Sequence, residues 1–157
     1  MAKLERFTVP GVEAQWSPEA VGEVAEEIEE RHSGDPVVTT RDSDMQDDIA
    51  IRLAQVQPSA GVIAAFIELE RDVASYLTAM GVDSSRGGPI ITMRRAPDVS
   101  PELKKLVDRL ARLRNGAAHG QSDITYDSAL EYIRATEELG REIRQITEQQ
   151  KTRGSQK

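Results

Sequence analysis

Hydrophobic residues recur every three or four positions along most of this chain, which is the period of an amphipathic α-helix. The clearest run extends from Ser59 to Met80, with a stripe formed by Val62, Phe66, Leu69, Val73, Tyr76 and Met80. Two further runs follow, with stripes formed by Leu103, Leu106, Leu110, Leu113 and Ala117, and by Ala129, Tyr132, Thr136, Leu139, Ile143 and Ile146. The pattern therefore predicts three long helices.

Helix boundaries are marked by residues that favour helix ends. Ser17-Pro18-Glu19 and Ser100-Pro101-Glu102 each combine a capping serine, a proline suited to the first helical position and an acidic first turn. The first signal opens a shorter helix over about 18–31. Gly81 suits the left-handed residue that ends many helices, and Thr125 can cap the last helix.

Three segments have weaker patterns. Residues 33–47 are rich in Asp, Ser, Thr, Gly and Pro, which is typical of a loop or linker. Residues 45–56 fit either a short helix or a strand. Residues 89–95 fit one or two helical turns.

The fold class follows from these runs and from the composition. Aromatic residues make up only 4% of the chain, so the core must consist mostly of Leu, Ile, Val and Ala. We expect an all-α, antiparallel helical bundle over residues 45–150. It is preceded by an acidic arm, short helix and linker over 1–44 and followed by a disordered tail over 151–157. The arm begins with a short extended segment, whose expected anchors to the core are Phe7, Val9 and Trp16.

Composition also limits the functional classes. The chain has no cysteine, which excludes a disulfide framework and a thiolate site. No apolar run near Met1 resembles a signal peptide, and no segment is long enough to cross a bilayer. We therefore expect a cytoplasmic protein with no membrane contact from this stretch. We also expect no metal and no cofactor.

Charge is distributed unevenly. Residues 1–50 hold 4 Lys/Arg and 13 Asp/Glu, a net charge of −9, whereas residues 86–119 hold 8 basic and 3 acidic residues, a net charge of +5. The second segment would attract nucleic acid and the first would repel it. Removing residues 1–44 should therefore strengthen RNA binding if the acidic region masks the basic one. The alternative is that these charges are ordinary solvated helix faces.

The basic segment ends in a run that combines an Arg, an Asn and a His within six residues, Arg114–His119. A guanidinium can clamp a phosphate, and an imidazole can move protons near neutral pH. Five residues correspond to about 140° around an ideal helix. Arg114 and His119 can therefore act together only if the helix distorts near Gly116 or a second chain completes the site. Otherwise Arg114 forms a salt bridge with a neighbour and His119 caps the helix end.

This run resembles the Arg, polar residue, short spacer, His motif of HEPN domains (higher eukaryotes and prokaryotes nucleotide-binding). Its surroundings are similar too: a Leu/Arg-rich helix precedes it, and a polar turn and the helix containing Asp127, Ala129, Tyr132 and Ile133 follow it. Upstream, Pro58–Glu70 is similar to the first core helix of many bacterial members. The resemblance covers about residues 48–148.

The resemblance implies a helical bundle that forms a homodimer, in which facing Arg/His pairs make one cleft. Many members are metal-independent endoribonucleases of toxin–antitoxin or phage-defence systems. In this role His119 would act as general base or acid, Arg114 would hold the phosphate, and Asn115 would orient the imidazole or add a hydrogen bond. The expected substrate-binding residues are Arg94, Arg95, Lys105, Arg109 and Arg112.

Two alternatives remain open, and one position departs from the family. The chain could be a catalytically inactive HEPN nucleotide-binding or protein-interaction module, or a helical scaffold with its acidic region as a partner surface. Members paired with a nucleotidyltransferase antitoxin often carry a Tyr two residues after the His, where this chain has Gln121. The resemblance thus implies RNA or a nucleotide as ligand, and an antitoxin or other protein as partner, but not that antitoxin class.

Overall fold

A computed structural model describes residues 16–33, 48–120 and 123–155. These residues form six α-helices and no strand, which confirms the all-α bundle. The helices are α1 (Pro18–His32), α2 (Ile49–Val56), α3 (Pro58–Ala79), α4 (Pro89–Arg95), α5 (Pro101–Ala118) and α6 (Tyr126–Gly154). Most of the expected extended arm and its anchors Phe7 and Val9, the linker over 34–47, and Gln121 lie outside the described residues.

The predicted helix starts are confirmed by their capping hydrogen bonds. The hydroxyls of Ser17, Ser100 and Thr125 each accept from the backbone N–H three residues later, at 3.0, 3.1 and 3.2 Å. Each bond satisfies one of the four N–H groups that a helix leaves unpaired at its start. Capping is local, so these boundaries were readable from the chain alone.

The end of α3 also follows the prediction. Gly81 has a φ of 74°, in the left-handed region. The N–H of Gly81 donates to the carbonyl of Thr78 at 3.0 Å, and the N–H of Val82 donates to that of Leu77 at 2.9 Å. This pair of bonds is the Schellman arrangement, which satisfies the last carbonyls of the helix.

The ambiguous segment over 45–56 contains the helix α2. The Asp48 carboxylate caps it, and Gln57 alone separates it from α3. The two helices pack very closely, because a Cβ added to Gly61 would lie 2.5 Å from the Cβ of Ala54 and 2.6 Å from the carbonyl oxygen of Ala50. This close helix–helix contact excludes a larger residue at position 61.

The core lies between α3 and α6, with α1, α2, α4 and α5 packed around them. Tyr132 is fully buried at its centre; its hydroxyl donates to the carbonyl of Leu110 at 2.9 Å, and its ring centroid lies 5.5 Å from that of Trp16. Burial strongly raises the pKa of the Tyr132 hydroxyl, because the phenolate would be desolvated. The predicted core role of Tyr132 and the anchoring of Trp16 agree with these contacts.

The helical structure extends beyond both ends of the expected bundle over residues 45–150. Val21, Val24 and Ile28 of α1 are fully buried in the same core cluster as the bundle, although α1 lies in the segment 1–44. At the other end, α6 continues to Gly154, past the expected end of the bundle at residue 150. Among the described helices, none is long and apolar enough to cross a membrane.

Candidate functional site

The sequence motif lies at the C-terminal end of α5. Arg114 and Asn115 are in its last turns, and the helical hydrogen bonding continues to the end, since the N–H of His119 donates to the Asn115 carbonyl at 3.1 Å. Gly116 is buried inside the helix, and Gly120, with a φ of 64°, ends it. The helix therefore does not distort near Gly116, and Arg114 and His119 remain about 140° apart around its axis.

The Arg114 guanidinium is held mainly by an aromatic ring. Its central carbon lies 4.8 Å from the centroid of the Phe66 ring, a cation–π distance. The nearest carboxylate oxygen, on Glu70, is 4.0 Å from Nη2, which is a loose ion pair. The Arg114 side chain is 32% exposed, and its buried Nε has no hydrogen-bond partner among the described residues. Stacking thus fixes the guanidinium while leaving donors available to an anion.

Arg114 and Asn115 line a cleft of about 260 Å³ that is bounded by α3, α4 and α5. Glu70 reaches it from α3 and Arg94 from α4, and the loop at Gly87–Pro89 completes one wall. The cleft brings together residues from four separate segments. It therefore places a carboxylate, an amide and two guanidinium groups around a single opening.

His119 lies outside this group. Its side chain is exposed, it does not line the cleft, and its imidazole forms no hydrogen bond or ion pair within the described part of the chain. Of the three predicted catalytic residues, one chain therefore brings Arg114 and Asn115 together and leaves His119 apart from them. None of the described residues therefore prevents the imidazole from contacting another molecule.

Two of the predicted substrate-binding cations form ion pairs with carboxylates of α1. Lys105 Nζ donates to Glu27 at 2.9 Å, and Arg109 binds Glu27 closely and lies 3.4 Å from Glu23. The hydrogen bond from Lys105, together with the charge of Arg109, lowers the pKa of the Glu27 carboxyl. The acidic helix thus neutralises Lys105 and Arg109 in the N-terminal half of α5.

The other three predicted cations differ in their pairing. Arg94 and Arg112 both bind Asp108, and the Arg112–Asp108 distance is 3.0 Å. Arg94 also lines the cleft. Arg95, at the end of α4, is exposed and has no ion pair among the described residues. Within this set, only Arg94 shares the cleft with Arg114.

Sequence reasoning did not single out Glu70, and it treated Phe66 only as part of a core stripe. Both side chains contact Arg114 in the folded protein. They are four residues apart, so they share one side of α3. The four-residue spacing shows that both side chains share a helix face. The local sequence does not show that an arginine of α5 packs against that face.

The chain matches no protein-family model, no curated protein and no solved structure. The features that bear on its function are the residues of the motif, the cleft and the pattern of charges. Among these, the arginine stacked on Phe66 is the group whose arrangement is best suited to binding an anion.

Proposed function

We propose that this protein is a HEPN-like, metal-independent endoribonuclease whose active site is completed by a second copy of the chain. Arg114 holds the scissile phosphate, His119 transfers protons, and Asn115 orients the imidazole or adds a hydrogen bond. The observation that carries the proposal is the Arg114 guanidinium, which is fixed over Phe66 at the cleft with its carboxylate neighbour as far as 4.0 Å away.

The chemistry needs no metal ion. The 2′-oxygen of the RNA attacks phosphorus while one imidazole accepts its proton, the bond to the 5′-oxygen breaks, and an imidazolium gives that oxygen a proton. The guanidinium stabilises the negative charge that develops on the phosphate. A homodimer supplies two copies of His119, so one imidazole can act as base and the other as acid.

Two features support a homodimer. The undistorted end of α5 keeps Arg114 and His119 on different faces, so the two can act on one phosphate only if a second chain supplies the imidazole. In addition, α2 exposes an apolar stripe at helical spacing, with Ile49 70%, Leu53 40% and Val56 87% exposed. Exposed apolar patches of this kind often mark protein interfaces.

The biological setting that fits such an enzyme is a toxin–antitoxin or phage-defence system in the cytoplasm. The partner would then be an antitoxin or another regulatory protein. A small adjacent gene for an antitoxin would support the toxin role, whereas its absence would favour a stand-alone defence or stress component.

A second candidate is a catalytically inactive module that binds a nucleotide or a protein. One observation favours it: His119 does not line the cleft that Arg114 and Asn115 share. In that case the cleft would bind a phosphate-bearing ligand and leave it unchanged.

Incubation of the full chain with total RNA in EDTA tests the proposal, with the oligomeric state measured by sedimentation. We expect a dimer that cleaves RNA, and loss of at least about 100-fold in rate for His119→Ala with binding retained. His32→Ala is the matched control, since the other histidine lies at the end of α1 and pairs with Glu142 at 3.3 Å. Binding without cleavage would favour the inactive module, and a monomer that neither binds nor cleaves RNA would contradict the endoribonuclease.

A further inference from the structure

The cleft beside Arg114 is larger and more apolar than a phosphate clamp requires. Its volume of about 260 Å³ lies just below the range of roughly 300–1,000 Å³ typical of pockets for drug-sized ligands. Ile90, Ile91 and Ala111 supply apolar lining, and Glu70 and Asn115 supply polar groups. A small planar ring with a polar edge matches this combination of size and chemistry.

We propose that the cleft binds a guanine base, that Glu70 reads its Watson–Crick edge, and that Arg114 holds the adjoining phosphate. The inference rests on the proposed function for the place of the phosphate, and it adds a base preference that the cleavage chemistry does not require. The proposed ligand is a guanine attached to a ribose phosphate, which occurs both in single-stranded RNA and in a free nucleotide.

The carboxylate of Glu70 determines which base fits. An ionised carboxylate only accepts hydrogen bonds, and among the described residues the only ion pair of Glu70 is the loose one with Arg114 at 4.0 Å. Guanine presents N1–H and the N2 amino group side by side, so it can donate to both carboxylate oxygens. Adenine and cytosine present one amino donor beside an acceptor nitrogen, and uracil flanks its single N–H with two carbonyls.

Asn115 can bind the remaining polar group on this edge of guanine. Guanine carries the acceptor O6 next to N1–H, and Asn115, whose side-chain amide can donate, lines the same cleft. The cleft thus offers two acceptor oxygens and a donor for an edge with two donors and an acceptor. Proteins that bind single-stranded RNA commonly combine such edge contacts with packing on the faces of the base.

The loop wall of the cleft contains two glycines, Gly87 and Gly88. Gly87 and Gly88 have φ values of 98° and 83°, a conformation that strongly favours glycine. No side chain projects from either residue, so this part of the wall is backbone only. The exposed Ile91 stands beside it, since a Cβ added to Gly87 would lie 3.8 Å from the Ile91 Cγ2.

Titration of the full chain with GMP, IMP, AMP, CMP and UMP in EDTA tests the inference without depending on cleavage. We expect GMP to bind at least about ten-fold more tightly than AMP, CMP or UMP. IMP, which lacks the N2 amino group, should lie between them. The ratio of GMP to IMP needs no variant, so it reports on the second donor even if substitutions disturb folding.

Glu70→Gln provides the second measurement, because glutamine has the same shape with one acceptor fewer. GMP should lose its preference to within about two-fold of AMP, after folding is checked by circular dichroism. Glu68→Gln is the matched control, since Glu68 is on the same helix, is exposed and pairs with Arg71 outside the cleft. It removes the same charge and should keep the preference for GMP.

Short single-stranded RNAs with one guanosine or none identify the source of the base. Tighter binding of the guanosine-containing RNA than of GMP assigns the site to RNA, and binding of GMP alone assigns it to a free nucleotide. Equal affinity for all four bases, unchanged in Glu70→Gln, would overturn the guanine inference. RNA cleavage would still support the proposed function in that case, whereas a protein that neither binds nor cleaves RNA or nucleotides would remove both.

Discussion

The two halves of α5 carry similar residues in different surroundings. Lys105 and Arg109, in the first half, face the carboxylates of α1 and are bound by Glu27. Arg114, in the last turns, faces an aromatic ring and, among the described residues, pairs with one carboxylate at 4.0 Å. The charge of a segment therefore does not show which of its cations can bind a ligand. The neighbouring helices decide this by pairing some cations and leaving others.

The contacts between α1 and α5 also separate two physical effects. Exposed ion pairs usually contribute at most about 1 kcal/mol, so these pairs mainly neutralise charge. The attachment of α1 depends instead on its fully buried Val21, Val24 and Ile28. A change in the carboxylates should therefore alter electrostatics, whereas a change in the apolar side chains should alter folding.

The largest effect is expected from deletion of residues 1–44. This deletion removes three fully buried side chains, and each contributes about 1.5–3 kcal/mol, so the loss is roughly 5 kcal/mol or more. Because a domain is stable by only about 5–15 kcal/mol, we expect the shortened chain to be largely unfolded. Urea denaturation followed by circular dichroism measures this. A shortened chain with an unchanged midpoint would show that α1 is independent of the bundle and would restore the deletion as a test of masking.

The second effect contrasts the two halves of α5 directly. Arg114→Ala should weaken RNA binding by about ten-fold or more, since a charge-assisted hydrogen bond contributes roughly 1.5–3 kcal/mol. Arg109→Ala should change it by less than about two-fold, because Glu27 already neutralises Arg109. Fluorescence anisotropy with labelled RNA, at matched salt and with unfolding midpoints recorded, measures both. Similar losses of RNA affinity in the two variants would mean that pairing with α1 does not determine which arginine can bind RNA.

A smaller effect is expected when the α1 carboxylate is neutralised. Glu27→Gln releases Lys105 and Arg109, so RNA affinity should rise a few-fold at low salt, and its dependence on salt should become steeper. Glu26→Gln makes the same charge change at an exposed neighbouring position and serves as the control. An equal rise in both variants would indicate a general effect of net charge and no specific masking.

The smallest effect is a dependence of stability on pH. The pKa of Glu27 is lower in the folded protein than its ordinary value, so its ion pairs stabilise the fold above that ordinary value. Their contribution is lost as the pH falls through the lower, folded-state pKa. The difference in unfolding free energy between the parent protein and Glu27→Gln should thus be at most about 1 kcal/mol near neutral pH and should vanish in acid. Denaturant titrations across this range measure it, and a difference independent of pH would argue against the pairing.

The sequence by itself determined the helices. The three-to-four spacing of apolar residues, the capping serines and threonine, and Gly81 act over one or two turns, so their effects can be read from neighbouring residues. The all-α bundle followed from these local signals. The short segment over 45–56 was ambiguous because eight helical residues carry too little periodicity to exclude a strand.

Only the tertiary structure decided which side chains form the site. Phe66 and Glu70 on α3 meet Arg114 on α5 across more than forty residues of sequence, and Glu27 meets Lys105 and Arg109 across an even longer separation. Such contacts depend on how helices pack, and packing is set by the complete apolar surfaces of several helices together. For this reason the motif located Arg114, and helix geometry separated it from His119, whereas the fold alone placed Arg114 in a cleft.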